Sequence, residues 1–464
     1  MPVILLRTMN AHFSSHIKRV VQLSLPMAGS RFLQMFSGFI ATMMVGHLGR
    51  LVLASCALIG ATLYVFLLVF IAMVFSLSFI VAQSFGANKY DEIGGLVQEG
   101  MLLSFLLGLI MMVFCWFAAD FLRLFNESPA MLVYVRMYFH ALMWGAVAIM
   151  LQSCLEQFCY GILKQRLVIL INFLSMLIGI PIAYVLIFGK FGFPALGVEG
   201  LGLTFVIQAW FDFALLLLCC YRMPDFKKFH LFQLRSYRGL HHLRKIFRIG
   251  WPMSLQFGGE LGSFFVVTMF IGWLGTNALA AVQVTQQWLY LIVVPIFAMS
   301  EAAAILVGQA VGAGQFSELK SIGHASLLLS LSLVFLMSIG FVCFPDFFAS
   351  FYINIHHAKN LGILDLIRVL FAITAITLLL STVRDVVSGL LRGLYDTRFP
   401  MIVGLLVMWG LVLPIGSLFA FTFHLGVVGF RLGSCLAMLI GAVVIVWRWR
   451  VKCFEKLTEA HPAG

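Results

Sequence analysis

Charge is what this chain has least of. Only 10% of its 464 residues are Asp, Glu, Lys or Arg, against 62% apolar ones, whereas about a quarter of a soluble domain is charged. So small a supply cannot cover a water-facing surface, and a soluble globular protein is excluded. Acids are scarcest, 18 against 30 Lys and Arg, for a net charge of +12. The placement of the bases nevertheless excludes nucleic acid as the partner. Lys227, Lys228, Arg235, Arg238, Arg244, Lys245 and Arg248 share one mid-chain stretch, Arg448, Arg450, Lys452 and Lys456 a C-terminal tail, and Lys18 and Arg19 precede the first apolar run. Short cytoplasmic loops of membrane proteins collect Lys and Arg in this way, which puts both termini and the mid-chain stretch in the cytoplasm. The nine cysteines are an odd number without a CxxC pair, and Cys56, Cys115, Cys219, Cys220 and Cys435 lie in apolar runs. Helix packing, not a disulfide framework or a metal site, accounts for them. The opening residues lack the compact apolar core of a cleavable leader.

Long apolar runs are there instead. About 20 apolar residues cross a bilayer, and the chain predicts about a dozen spans near 20–46, 52–83, 95–119, 131–156, 165–188 and 197–220, then 247–273, 279–308, 321–345, 363–389, 399–422 and 426–447. Helices satisfy every backbone group in lipid. A barrel would show short alternating segments instead of these continuous runs. The expected fold is an all-α integral membrane protein with an N-terminal lobe at 1–220, a cytoplasmic basic linker at 221–246 and a C-terminal lobe at 247–464.

The two lobes repeat one another. Pro26-Met27 returns as Pro252-Met253, 226 residues on; at the same spacing Thr42-Met43 meets Thr268-Met269, Leu48-Gly49 meets Leu274-Gly275, and Val81–Ala87 meets Val307–Ala313. Gly161 and Arg166 return as Gly393 and Arg398 at a spacing of 232, and Leu196–Val198 as Leu425–Val427 at 229. Ordered matches at a nearly constant spacing indicate tandem repeats. Six spans per copy make the copies parallel, and a cleft between parallel repeats is a natural alternating-access pathway.

The stretches Ala41–Gly49, Val81–Ala87, Gly189–Gly197, Gln283-Val284 and Leu391–Asp396 occur in this order in a six-plus-six frame. Over nearly its whole length the chain thus resembles the multidrug and toxin extrusion (MATE) transporters, particularly their bacterial NorM-like branch. The resemblance implies two six-helix bundles that expel organic cations or drugs while Na⁺ or H⁺ enters, with no further cofactor. It also implies a monomer in the plasma membrane, the inner membrane in a bacterium.

Ionisable residues at membrane depth are the natural site candidates, because an uncompensated charge in hydrocarbon costs several kcal/mol. They are Arg31, Asp212, Glu260, Glu301, Arg384 and Asp385. Glu260 lies near the middle of span seven and matches the span-seven glutamate that the resemblance makes the coupling carboxylate and a candidate Na⁺ ligand; its alternative is a structural pairing with Arg384. Its counterpart in the first lobe is the uncharged Gln34. Glu301 is either cavity-facing or structurally paired. Arg384 and Asp385 are adjacent, leave the helix about 100° apart and are expected to take different partners, and Arg384 has snorkelling as its alternative. Gln283 joins the candidates through the resemblance. Three departures stand against the family pattern: Ala41 replaces a first-span aspartate, Gly179 an asparagine before Ile180-Pro181, and Ser381 a span-ten aspartate, with Asp385 one turn further. The first-lobe cation site therefore looks dismantled.

Two function classes remain: transporter, with a runner-up inside it, and membrane enzyme. A cation-coupled drug antiporter leads. A flippase for lipid-linked oligosaccharides or other lipids would favour a more basic cleft. A membrane-embedded acyltransferase would need a catalytic constellation at one interface, and His140, His356, His357 and His424 are scattered without one.

Overall fold

The computed structural model describes residues 2–125, 127–233, 240–354 and 361–460; Arg235, Arg238, His356 and His357 lie outside them. The described residues hold no strand. Their twelve long helices are α1 (Pro2–Gly46), α2 (Arg50–Gly86), α3 (Tyr90–Arg123), α4 (Pro129–Gly161), α5 (Gln165–Phe188), α6 (Val198–Arg222), α7 (His241–Trp273), α8 (Thr276–Gly312), α9 (Glu318–Cys343), α10 (Leu361–Gly393), α11 (Arg398–Thr422) and α12 (Gly426–Ala460). Short helices at Pro224–Lys227 and Pro345–Ser350 complete the set. By length and composition, α2 to α12 can each cross a bilayer. Ser30, Arg31, Gln34 and Ser37 recur along one face of α1 and make it the most polar of the long helices.

At the ends of the chain the helices run past the expected spans: α1 begins at Pro2, well before position 20, and 448–460 is the last part of α12. Arg448 anchors that end, donating from Nε to Asp396 Oδ2 at 2.9 Å with its guanidinium 4.8 Å over the Phe399 ring.

The chain packs as two compact units, 26–254 and 1–25 with 255–464. The division falls inside α1 at Pro26 and inside α7 just after Pro252, the two prolines that the repeat pairs. The repeat is equally visible in the backbone. Helices α2 and α8 both run 37 residues, and α4 and α10 both run 33. Left-handed residues end them in register: Asn88 (φ 56°) with Gly314 (φ 71°), and Leu163 (φ 61°) with Tyr395 (φ 63°). Each is followed by an amide bonded back five residues, Lys89 to Ser84 and Gln315 to Ala310, Lys164 to Cys159 and Asp396 to Leu391. This closure satisfies carbonyls that a helix end leaves orphaned.

Close approach explains the repeated Gly161 and Gly393. A Cβ at Gly161 would stand 2.6 Å from the Ser78 carbonyl oxygen, and one at Gly393 2.5 Å from that of Ala304; residues 78 and 304 are themselves 226 apart. Small residues let helices approach where lipid supplies no hydrophobic drive between them. Helix α3 shows the same logic across its two faces. Gly94, Gly95, Glu99, Gly100, Ser104 and Gly108 are buried, while Phe105, Ile110, Val113, Trp116 and Phe117 are exposed at helical spacing. Such an apolar outer stripe suits a bilayer and no aqueous surface.

Candidate cation-coupling site

In the unit containing 255–464, one turn of α7 carries both Gln256 and Glu260. Gln256 Nε2 donates to Glu260 Oε1 at 3.0 Å, and Arg384 Nη2 on α10 donates to Glu260 Oε2 at 3.4 Å. The same guanidinium donates to Asp385 Oδ1 through Nε at 3.0 Å and Nη2 at 2.9 Å. Arg392, two turns further along α10, donates from Nη2 to Gln256 Oε1 at 3.1 Å and lies 5.4 Å over the Phe257 ring. The result is one polar chain, Asp385–Arg384–Glu260–Gln256–Arg392, spanning α7 and α10. Adjacent residues do leave a helix about 100° apart, but the long arginine folds back, so Arg384 and Asp385 partner each other. The Arg384 side chain is 7% exposed and that of Glu260 13%, which replaces snorkelling by a buried ion pair.

Helix α11 makes room for this chain. A Cβ at Gly404 would stand 2.7 Å from Glu260 Oε1 and 3.1 Å from Gln256 Nε2, so glycine leaves these two side chains where they are, and a larger residue would make them shift. Five residues on, Trp409 Nε1 donates to the Gly259 carbonyl at 2.9 Å. Around it, Leu406–Val412 and Leu418–Thr422 form wide π-helical turns on either side of Pro414. A proline has no amide to donate and widened turns accommodate the gap, an irregularity frequent at functional sites.

Glu301 on α8 is buried, 8% exposed, and acts electrostatically on Arg392. Ser300 beside it donates to the Asp385 carbonyl at 2.6 Å, tying α8 to α10. Three carboxylates, Glu260, Asp385 and Glu301, thus face two guanidiniums, Arg384 and Arg392. Counted at formal charges, these five groups carry one negative charge in excess.

Two of the expected site residues are not brought to this group. Gln283 is exposed and lies eighteen residues before Glu301 on α8, about 27 Å along a helix axis. Gln34 belongs to the unit 26–254, where its Nε2 donates to Glu156 Oε1 at 3.4 Å. That unit also explains a departure seen in the sequence. A side chain at Gly179 would overlap the Gln208 amide, which donates to Ser37 Oγ and to the Ser175 carbonyl, both at 3.1 Å. Asp212 accepts from Gln152 Nε2 at 3.3 Å, and Arg31 lies 5.3 Å over the Phe75 ring.

Sequence reasoning missed Glu156 and Arg392 for one shared reason. Spans drawn to a bilayer's length end at 156 and 389, while α4 and α10 continue to Gly161 and Gly393. Both charges therefore read as loop-edge residues. Ion spacing alone could not reveal Gln256, but its place one turn before Glu260 could have.

A family model described as MatE matches residues 26–185 and 252–418. The chain belongs to the MatE family. A Xylella fastidiosa (strain 9a5c) protein named "Probable multidrug resistance protein NorM" is 28% identical over 95% of this chain and 93% of its own length. A Synechocystis protein of the same name is 27% identical over 96% of each. Among solved structures, a MATE protein in the bent conformation covers 97% of this chain and 98% of its own, with a TM-score of 0.88 at 17% identity. The Vibrio cholerae MATE transporter VcmN in its bent form gives 0.87 at 15% identity, covering 97% and 99%. The structural likenesses establish the fold, and membership of the family makes this MatE protein a transporter and not an enzyme.

Proposed function

We propose that this MatE protein is a secondary antiporter that exports organic cations or drugs in exchange for Na⁺ or H⁺, with Glu260 as the coupling carboxylate. The observation that carries this reading is the polar chain from half-exposed Asp385 through buried Arg384 and Glu260 to Gln256 and Arg392, with its single excess formal negative charge once Glu301 is counted. One monovalent cation neutralises that charge. In its absence the same charge favours an organic cation, so ion and drug compete for one electrostatic vacancy without needing to touch the same atoms. Exchange is driven by the difference in drug affinity between the two charge states, not by the absolute affinity. Of these residues, Glu260, Asp385 and Glu301 could supply carboxylate oxygens to Na⁺. A lipid flippase remains the second reading, and the acidic balance of the site counts against it, since an anionic headgroup needs excess base. Residence in the cell membrane as a monomer, with both termini cytoplasmic, completes the proposal.

The experiment is dye efflux from everted vesicles energised separately by a Na⁺ and an H⁺ gradient. Wild-type protein extrudes dye under one of the two, and Glu260→Gln, present at equal abundance, loses gradient-driven efflux. Wild-type efflux by Glu260→Gln under the same gradient would move coupling elsewhere, with Glu301 the next residue to test.

A further inference from the structure

Helix α12 carries an arginine that the coupling site does not use. Arg431 stands about 8 Å along the axis from the start of α12, and Gln286 about 15 Å from the start of α8. The two helices start on the same side, because alternate helices of a membrane bundle run the same way. Arg431 Nη2 donates to Gln286 Oε1 at 3.5 Å, so the guanidinium reaches into the bundle and not back toward the water that a snorkelling arginine seeks. Its surroundings are apolar. Val427, one turn before Arg431 on α12, shares one buried cluster with Ile292 on α8 and with Leu370 and Phe371 on α10.

We propose that Arg431, with the Gln286 amide and the Thr374 hydroxyl, forms an anion site in the unit containing 255–464, one that takes a carboxylate or another small monovalent anion. The decisive observation is a set of donors with nothing to receive them. Arg431 Nε is buried without a hydrogen-bond partner, and the contact to Gln286 is longer than an ordinary hydrogen bond. Among the described residues no carboxylate acts on this guanidinium. A guanidinium cannot shed its proton, so a positive charge in an apolar core calls for a counter-charge. Thr374 on α10 is 3% exposed, and its hydroxyl is also buried without a partner. The repeat places it opposite Arg431. At the 229 spacing position 431 corresponds to Gly202, where a Cβ would stand 2.8 Å from the Tyr138 carbonyl oxygen. At the 232 spacing Tyr138 corresponds to Leu370, one turn before Thr374. An anion between these side chains accepts from guanidinium, amide and hydroxyl together, and such charge-assisted bonds are the strong ones.

The shared architecture does not require this pair. At the 226 and 229 spacings Gln286 corresponds to Gly60 and Arg431 to Gly202, so the unit 26–254 folds with no side chain at either position. Both polar groups are additions to the C-terminal unit alone. Two sources present the chemistry the site selects. One is a free anion from solution. The other is the acid group of an organic zwitterion, and this source rests on the drug-export reading above.

The test uses purified full-length protein in micelles without an ion gradient, so that coupling through Glu260 does not enter. Thermal unfolding is compared in a bulky buffer sulfonate and in acetate at equal ionic strength. Fluorescence anisotropy then reads the binding of two matched rhodamine dyes, one with a free benzoate carboxylate and the other its methyl ester. If the anion is free, acetate raises the melting temperature of wild type and not that of Arg431→Gln. If it belongs to the cargo, Arg431→Gln binds the acid dye at least about tenfold more weakly and the ester within about twofold of wild type, the loss of one charged hydrogen bond. Either result supports the site and names its source. Arg431→Lys, which keeps the charge, should retain part of the response. Gln286→Ala and Thr374→Val leave the guanidinium in place, should weaken the same ligand by smaller factors, and carry the comparison if Arg431→Gln does not fold. Equal weakening of acid and ester dyes would overturn the proposal. So would responses to acetate and to the acid dye that none of these variants changes, or no response to either in wild type.

Discussion

Arg384 has two acidic partners while Glu260 and Asp385 each share it, and this asymmetry sets an order for substitutions. In Arg384→Gln the guanidinium that stands 3.4 Å from Glu260 and 2.9 Å from Asp385 is lost, and two carboxylates remain near each other. Removing one member of a buried ion pair costs about 3–5 kcal/mol. The Glu260 contact, with both side chains largely buried, should carry most of that loss. The Asp385 side chain is 39% exposed, and its share is reduced by solvent screening. Adding Glu260→Gln to Arg384→Gln removes the stranded charge, so the double variant should be less damaged than the sum of the singles, with a coupling energy of about 1–3 kcal/mol. The order of destabilisation is therefore Arg384→Gln first, Glu260→Gln second and Asp385→Asn last. Denaturant unfolding in micelles, followed by the fluorescence of the nine tryptophans, reads all four proteins. Because Arg384→Gln also raises the excess negative charge, it should bind the coupling ion more tightly and release it more slowly, giving slow efflux per molecule of inserted protein. An Arg384→Gln protein within about 0.5 kcal/mol of wild type, with no coupling in the cycle, would refute the buried network.

Gly393→Ala, whose Cβ would stand 2.5 Å from a backbone oxygen, should cost about 1–3 kcal/mol as overpacking, while Gly60→Ala, with nothing within 4 Å, should be neutral; thermal aggregation followed by size exclusion compares them. Lys227→Cys, exposed beside the basic stretch, should resist an impermeant thiol reagent applied to intact cells, whereas native Cys343, exposed at the far end of α9, should react; the reverse pattern inverts the topology. The Arg368 guanidinium beside Asp346, at 2.6 Å, holds that carboxyl below its usual range. Its stabilisation is thus present above the unfolded carboxylate pKa and lost as pH falls through the folded one. Asp346→Asn should lower stability by no more than about 1 kcal/mol at pH 7, since the pair is exposed, and the difference from wild type should shrink toward pH 3 in parallel thermal melts.

How much of this was legible in the sequence depended on which physical signal was asked to carry it. Hydrophobic run length located eleven spanning helices, and the 226-residue spacing returns in the backbone as paired left-handed residues at 88 and 314. The same signal misplaced the ends. Apolarity stops near the lipid boundary, but backbone hydrogen bonding continues wherever packing supports it, as in α4, α10 and α12. Glu260 was visible because it interrupts an apolar run near its centre. Its hydrogen-bonded company was not, because Gln256 is unremarkable by charge, Arg392 lies past an apparent span end, and the rotamer that folds Arg384 onto Asp385 has no sequence signature.

The first-lobe reading shows why a missing motif is weak evidence for a missing function. Ala41 and Gly179 mark where acids and amides of the family pattern are absent, and taken alone they predict an apolar interior. The space at Gly179 is filled by the Gln208 amide from α6, and acids stand instead at Glu156 on α4 and Asp212 on α6. A cation responds to the sum of charge and oxygen donors within a few ångströms, not to the helix that supplies them. In the C-terminal unit three acids stand around two arginines, and in the N-terminal unit Glu156 and Asp212 share the Gln152 amide. Position-by-position comparison scores this as loss on one side and noise on the other. Summed over each unit, both keep acids held by side-chain amides, at positions that the repeat does not pair.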